Sequence, residues 1–322
     1  MVKAFFGALF AASMMTSASM AQMPGRPVSI VVPVGPGGGT DLLAREAAKR
    51  LADIWGQSVV VENRSGAAGL VGAQSVIRSS PDGNTLLFTH DGVITATPVL
   101  YKRPDFDPHR QLVPLSQLAF MPYIAVVHPS VQAKSVPELI ALIKQKNAAK
   151  DKFGFATSAL GSADHLAGEQ FRIAAGVDML IVPYKSAMPA MTDVIAGHLQ
   201  LGFFTIASTQ PHIKAGTLRA VGIMSRERSK LFPELPTFSE TLPGFVGGTW
   251  YGLFAPAGTP AATVEKISSD IRRAVNSPEM ATYMLNNGFV PASSTPAEFA
   301  EFIRKDSARV AEVIRQANVR VE

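Results

Sequence analysis

From residue 28 onward, short apolar runs alternate with stretches of helical period. Val28–Val32, Val59–Glu62, Thr85–Thr89, Ile124–Val127, Phe153–Ala156, Met179–Val182, Leu199–Phe204 and Leu218–Ile223 read as strands. Thr40–Trp55, Val71–Ser79, Ser135–Lys146, Asp164–Ala174 and Ala187–Ala196 read as helices between them. This alternation predicts an α/β fold with largely parallel sheets, followed by a mostly helical last quarter. Ser135 with Glu138 and Thr295 with Glu298 fit the capping box, and Thr259-Pro260 and Ser277-Pro278 place proline at the first helical position. These are structural signals and carry no chemistry.

Two strand-to-helix turns stand out. The first, Pro33-Val34-Gly35-Pro36-Gly37-Gly38-Gly39-Thr40-Asp41, follows Val28–Val32 and precedes a helix. The second, Ala156-Thr157-Ser158-Ala159-Leu160-Gly161-Ser162-Ala163-Asp164-His165, has the same setting. A helix start offers unpaired N–H groups and the positive end of the helix dipole, and glycine lets a ligand approach the backbone. Two such turns suggest two lobes closing on one carboxylate. A weak internal echo supports a two-lobed path. Tyr123–Pro129 and Tyr251–Pro256 each run as a strand and loop into a Pro-started helix, flanking the middle third of the chain.

The chain has 322 residues, enough for two lobes of ordinary size, and its composition is that of a packed protein. Residues 1–21 read as a signal peptide: Lys3 begins it, Ala4–Ala12 is its apolar region, and Ser19-Met20-Ala21 is a small-residue cleavage site. The mature chain is expected to be exported. Without cysteine it has no disulfide, thiolate nucleophile or lipid anchor through sulfur. The net charge of +5 is mild and the basic residues are dispersed, which argues against nucleic-acid binding.

The first turn is no P-loop, because Gly39-Thr40-Asp41 lacks the lysine, and it does not give the G-x-G-x-x-G of dinucleotide sites. An acid at position 41 also sits badly beside phosphate, whereas a singly charged carboxylate is easier to accept. Capping of the helix by Thr40 or Asp41 is compatible with either role. A serine-hydrolase reading pairs Ser162 with His165, but no nucleophile elbow or orienting acid accompanies them. The histidines at 90, 109, 128, 165, 198 and 212 lack ligand spacing, so no metal site is expected. Asp105 and Asp107 fall in a proline-bounded loop that reads as solvated surface.

The chain resembles the Bug family, the extracytoplasmic solute-binding receptors of tripartite tricarboxylate transporters. The marks run in order: Val32-Pro33 with Pro36–Asp41, Val61-Glu62-Asn63-Arg64 with Gly66–Gly69, Ser80–Leu86, Gly161–Leu166, Val182-Pro183-Tyr184-Lys185, Ile213–Arg219 and Trp250–Pro260. The resemblance implies a type II periplasmic binding fold, two α/β lobes around a central cleft. Residues 22–120 would form the first part of lobe one, 121–235 lobe two, and 236–322 the return to lobe one and the C-terminal helices. It implies ligand contacts at Gly37, Gly38, Gly39, Thr40, Asp41, Thr89, His90, Ser158, Leu160, Gly161, Ser162, His165, Tyr184 and Phe204. No catalytic residue or cofactor is expected. The partner is a membrane permease or a sensor protein, and the chain is expected to be a monomer. The runner-up is a periplasmic hydrolase or isomerase on the same fold. Three positions depart from the family pattern: Ser186 replaces the usual Gly, Thr97 the usual Asn before Pro, and Phe204 a commonly acidic residue. A cleft-facing Phe204 would disfavour an ammonium group, so the expected ligand is a carboxylate other than a simple amino acid.

Overall fold

The first apolar run forms β1 (Val28–Val32), buried except at Ser29. A strand covered on both faces belongs inside a sheet flanked by helices. β1 pairs in parallel with β2 (Val59–Asn63) and β3 (Thr85–His90), connected through α1 (Gly39–Trp55) and α2 (Leu70–Ile77). The chain then makes a π-helical turn over Gly92–Ala96 and two short helices, α3 (Thr97–Leu100) and α4 (Pro108–Gln111). It next enters β4 (Leu112–Val127), which is 16 residues long. The middle of the chain builds α5 (Val136–Ala148), β5 (Gly154–Thr157), α6 (Ala163–Ala175), β6 (Leu180–Pro183), α7 (Ala187–Ile195), β7 (Leu201–Thr205), α8 (Ile206–Lys214) and β8 (Arg219–Ile223). It returns along β9 (Gly248–Pro256) and ends in α9 (Ala261–Val275), α10 (Pro278–Asn286), β10 (Val290–Pro291) and α11 (Pro296–Gln316). This computed structural model describes residues 26–101, 103 and 105–321, so the leader expected over 1–21 lies outside the described residues.

β4 joins the lobes. Leu112–Pro122 pairs with β9, Tyr123–Val127 pairs with β7, and Ile124–Val127 also pairs with β8. The strand order β2-β1-β3-β9-β4-β7-β5-β6 therefore divides at β4 into a lobe-one half and a lobe-two half. The sheet is mixed, not largely parallel. Pairings within a lobe (β1 with β2 and β3, β5 with β6 and β7) are parallel, whereas those between β4 or β9 and their partners are antiparallel. Crossover helices return the chain in the same sense inside a lobe. The two crossing strands run in opposite senses, because one leaves lobe one and the other comes back.

Each half has helices on both faces and its own apolar core. In lobe one, Ile30, Leu43, Phe88 and Leu253 pack on one face and Val31, Leu87, Phe254 and Phe299 on the other. In lobe two, Phe171 lies between Phe203 and Phe238 at ring distances of 5.9 and 5.5 Å, in the edge-on contacts aromatic quadrupoles favour. A further cluster spans the lobes: Ala96, Val310, Val313 and Ile314 pack with Leu166 of α6. The capping box at Thr295 forms as read. Ser135 accepts from Glu138 N–H, but the Glu138 carboxylate accepts from Lys134 N–H, one residue before the cap. Pro260 takes the cap position of α9, not the first helical position.

Candidate functional site

The first turn is held by one carboxylate. Gly37 has φ +89°, the left-handed region that favours glycine, and Gly38 caps α1 with no side-chain hydrogen bond. Asp41 is only 2% exposed and accepts from the Gly37 N–H at 2.9 Å, Asn63 Nδ2 at 2.8 Å and Arg45 Nε at 3.0 Å. Burial pushes the Asp41 carboxyl up, but the bonds from Arg45, Gly37 and Asn63 outweigh it and hold it below the usual carboxylate range. Its charge is thus paired beneath the turn. The first N–H groups of α1 have no partner inside the helix. A methyl group placed on Gly38 meets nothing within 4 Å, and one on Gly39 stands 3.5 Å from the Tyr251 hydroxyl and 3.7 Å from the Met121 methyl. The turn is therefore open at Gly38 and backed by the two crossing strands at Gly39. Thr40 is buried.

The second turn repeats the device. Asp164, 7% exposed, accepts from Ser158 N–H and Ser158 Oγ, each at 2.6 Å, and from Thr157 Oγ1 at 2.7 Å. Ser162 caps α6 by accepting from the His165 N–H, and its hydroxyl donates to Ala159 O at 2.6 Å. Gly161 N–H donates to His165 Nδ1 at 3.0 Å. His165 is therefore held as a neutral ring, and burial keeps its pKa below the usual value. Ser162 Oγ and His165 are not paired for nucleophile activation, because the ring nitrogen nearest the loop accepts from backbone. Among the described residues no group of three His, Asp or Glu is placed to hold a metal.

The remaining expected residues fall into three settings. Thr89 and His90 end β3 at the lobe junction, with Asp91 next in the chain. Thr89 Oγ1 is buried without a hydrogen-bond partner, and His90 Nδ1 accepts from Gly92 N–H at 3.1 Å. Leu160 and Tyr184 line an open groove of about 870 Å³ together with Tyr101, Lys185 and Arg320. The Tyr184 hydroxyl donates to Asp193, and burial with that carboxylate pushes the phenol up to about 12. Phe204 is 3% exposed and packs in the lobe-two core with Met191 and Ile223, with Tyr184 against that cluster. No hydrogen bond or ion pair joins the two turns directly among the described residues.

Sequence reasoning passed over several residues that shape this site. Asp164 and Asn63 lie inside the family motifs, and only the fold shows that they hold the two loops. Tyr123 of β4 and Thr249 of β9 share a buried hydroxyl–hydroxyl hydrogen bond of 2.9 Å where the chain crosses between lobes. The signal for Tyr123 and Tyr251 was the echoed tyrosine at the start of each crossing unit.

The chain matches the family profile described as tripartite tricarboxylate transporter family receptor over residues 43–319. It is 34% identical to Protein BugT of Bordetella pertussis, covering 93% of this chain and 91% of that protein. Two solved structures from Rhodopseudomonas palustris superpose along nearly their whole length. Rpa4515 with adipate gives a TM-score of 0.78 at 30% identity, covering 92% of this chain and 99% of that one. MatC with bound malate gives 0.73 at 28% identity, covering 90% and 99%. With its two α/β lobes and its match across both, this chain belongs to the tripartite tricarboxylate transporter receptor family of periplasmic solute-binding proteins.

Proposed function

We propose that this chain is a periplasmic receptor that captures a small organic carboxylate between its lobes and hands it to a membrane permease of the tripartite type. The observation that carries the reading is the uncapped start of α1, with its amides open at Gly38 while Asp41 is neutralised underneath. Backbone N–H groups aimed at a carboxylate give charge-assisted hydrogen bonds without burying a cationic side chain. The second turn supplies the opposing face through the amides of Ala159, Leu160 and Ala163 and the frame held by Asp164. Ligand then stabilises the closed form of a hinge equilibrium about the β4 and β9 crossing. The adipate and malate of the two neighbours fit this ligand class.

The leader over 1–21 exports the chain, and no described helix is long and apolar enough to cross a membrane. The chain acts as a monomer and without catalysis, releasing its ligand unchanged. The lobes divide at 22–120, 121–235 and 236–322. A thermal-shift screen of residues 22–322 against mono-, di- and tricarboxylates, aromatic acids and amino acids tests the ligand class. A ligand that binds only the native state raises the melting temperature with concentration. A shift for carboxylates, with the compound recovered intact, supports the receptor. Turnover of the compound, or shifts confined to neutral and cationic compounds, contradicts it.

A further inference from the structure

A small cavity of about 20 Å³ lies at the lobe junction, room for one water-sized species. Lobe one contributes Asp91 and Thr95, α11 contributes Arg309, and lobe two contributes Gly161, Ala163 and Gln170. Asp91 is 7% exposed, and its Oδ1 has no hydrogen-bond partner. An ionised oxygen left unpaired at that depth is unfavourable, and a carboxyl so placed gains by taking a proton.

The charged and titratable groups around it do not remove that penalty. His90, the last residue of β3 and next to Asp91 in the chain, has Nδ1 3.6 Å from Asp91 Oδ1, and that nitrogen already accepts from Gly92 N–H. On α11, Arg309 is committed to Asp306 at 2.7 Å and to Gln170 at 2.5 Å. Asp306 adds a second negative charge, itself bonded by Trp250 Nε1 at 2.8 Å. Tyr123 of β4 and Tyr251 of β9 are buried phenols that stay neutral near Asp91. Burial pushes the Asp91 carboxyl above its usual range against the pull of His90, and Asp306 adds to the rise.

Part of the cavity wall belongs to lobe two. Parting the lobes removes Gly161, Ala163 and Gln170 from it and admits water, after which Asp91 ionises like an ordinary carboxyl. We propose that Asp91 is a proton-binding site at the lobe junction, occupied when the lobes close and vacated when they part. The closed form then binds more protons than the open form, so acidification favours closure. His165 in lobe two is also buried, and its burial favours the neutral ring. This linkage rests on the hinge motion of the proposed function and holds whatever the ligand.

The chain has no cysteine, so paired spin labels are introduced cleanly at Asp53→Cys on α1 and Lys144→Cys on α5, both exposed. The interlobe distance is measured without ligand from about pH 8 to about pH 5, spanning the interval above the ordinary carboxylate range. The ratio of closed to open molecules should rise by up to about tenfold per pH unit, the limit for one linked proton. Asp91→Asn, neutral and nearly isosteric, should remain closed with no pH response, and His165→Gln should keep the acid-driven closure. A distance independent of pH in the parent protein overturns the proposal, as does an unchanged pH response in Asp91→Asn. Should Asp91→Asn fail to fold, carbon NMR of the aspartate carboxyls in the parent protein decides. One carboxyl titrating well above the others supports the site, and none doing so refutes it.

Discussion

The backbone N–H of Gly37 donates to the carboxylate of Asp41 at 2.9 Å, drawing the end of the glycine loop onto the first turn of α1. In lobe two the Ser158 N–H donates to Asp164 at 2.6 Å in the same way. In each lobe an aspartate on the first helical turn shapes the loop that precedes it. The acid at position 41, ill placed beside a phosphate, is thus paired and buried.

Replacing Asp41 by alanine should loosen the first turn. It removes the partners of Gly37, Asn63 and Arg45 from a buried position, a change worth about 1–3 kcal/mol of stability. Carboxylate affinity should fall at least about tenfold, one lost charge-assisted bond. Calorimetric titration and chemical denaturation of the variant check both. Tighter binding in Asp41→Ala would mean that Asp41 repels the ligand and does not frame the turn.

Gly38→Val separates site from fold. Gly38 has φ −82°, and an added Cβ meets nothing within 4 Å, so the backbone accepts a side chain. The melting temperature should stay near that of the parent protein. Carboxylate binding should weaken at least about a hundredfold, as for two lost bonds to a charged group. A folded Gly38→Val protein with undiminished affinity would place the ligand elsewhere.

Ser162 is bound into its own turn as cap and donor, so Ser162→Ala should act on stability first. Loss of a helix cap lowers stability by about 1 kcal/mol. Affinity should change by less than about threefold, below the value of one hydrogen bond. A larger loss of affinity with an unchanged melting temperature would show that the hydroxyl contacts the ligand directly.

The Gly161-to-His165 bond gives a pH dependence with a definite sign. Protonation of His165 Nδ1 breaks it, and burial lowers the folded-state pKa below the reference of 6.5. The unfolded chain therefore takes up the proton first. The stability this histidine contributes is full above about pH 6.5 and declines as pH falls toward the folded-state value. Urea melts at about pH 7.5 and about pH 5.5 should show the parent losing more stability than His165→Gln across that reference pKa. Equal losses would remove His165 as the cause.

Much of this molecule could be read from residue order. The strands and helices of each lobe follow from apolar period, and the turns from glycines placed between a strand and a helix. The first part of β4 escaped because Pro114, Ser116, Gln117 and Pro122 interrupt any apolar alternation, while its pairing with β9 is set by the distant return of the chain. Phe203 and Phe204 point to opposite faces of β7, and helices cover both faces, so both rings are buried and alternation alone does not separate a core ring from a cleft ring. Asp91 gave no signal because its burial arises only where both lobes meet.

The crystal structure of residues 22–322 with the carboxylate that raises the melting temperature most tests the central claim directly. The account predicts one ligand carboxylate within hydrogen-bond reach of the amides at Gly38–Thr40 and of amides from the Ser158–Ala163 turn, with Asp41 and Asp164 still holding their loops. A ligand bound in the Tyr101–Arg320 groove away from both turns, or a carboxylate met by a cationic side chain in place of these amides, would contradict it.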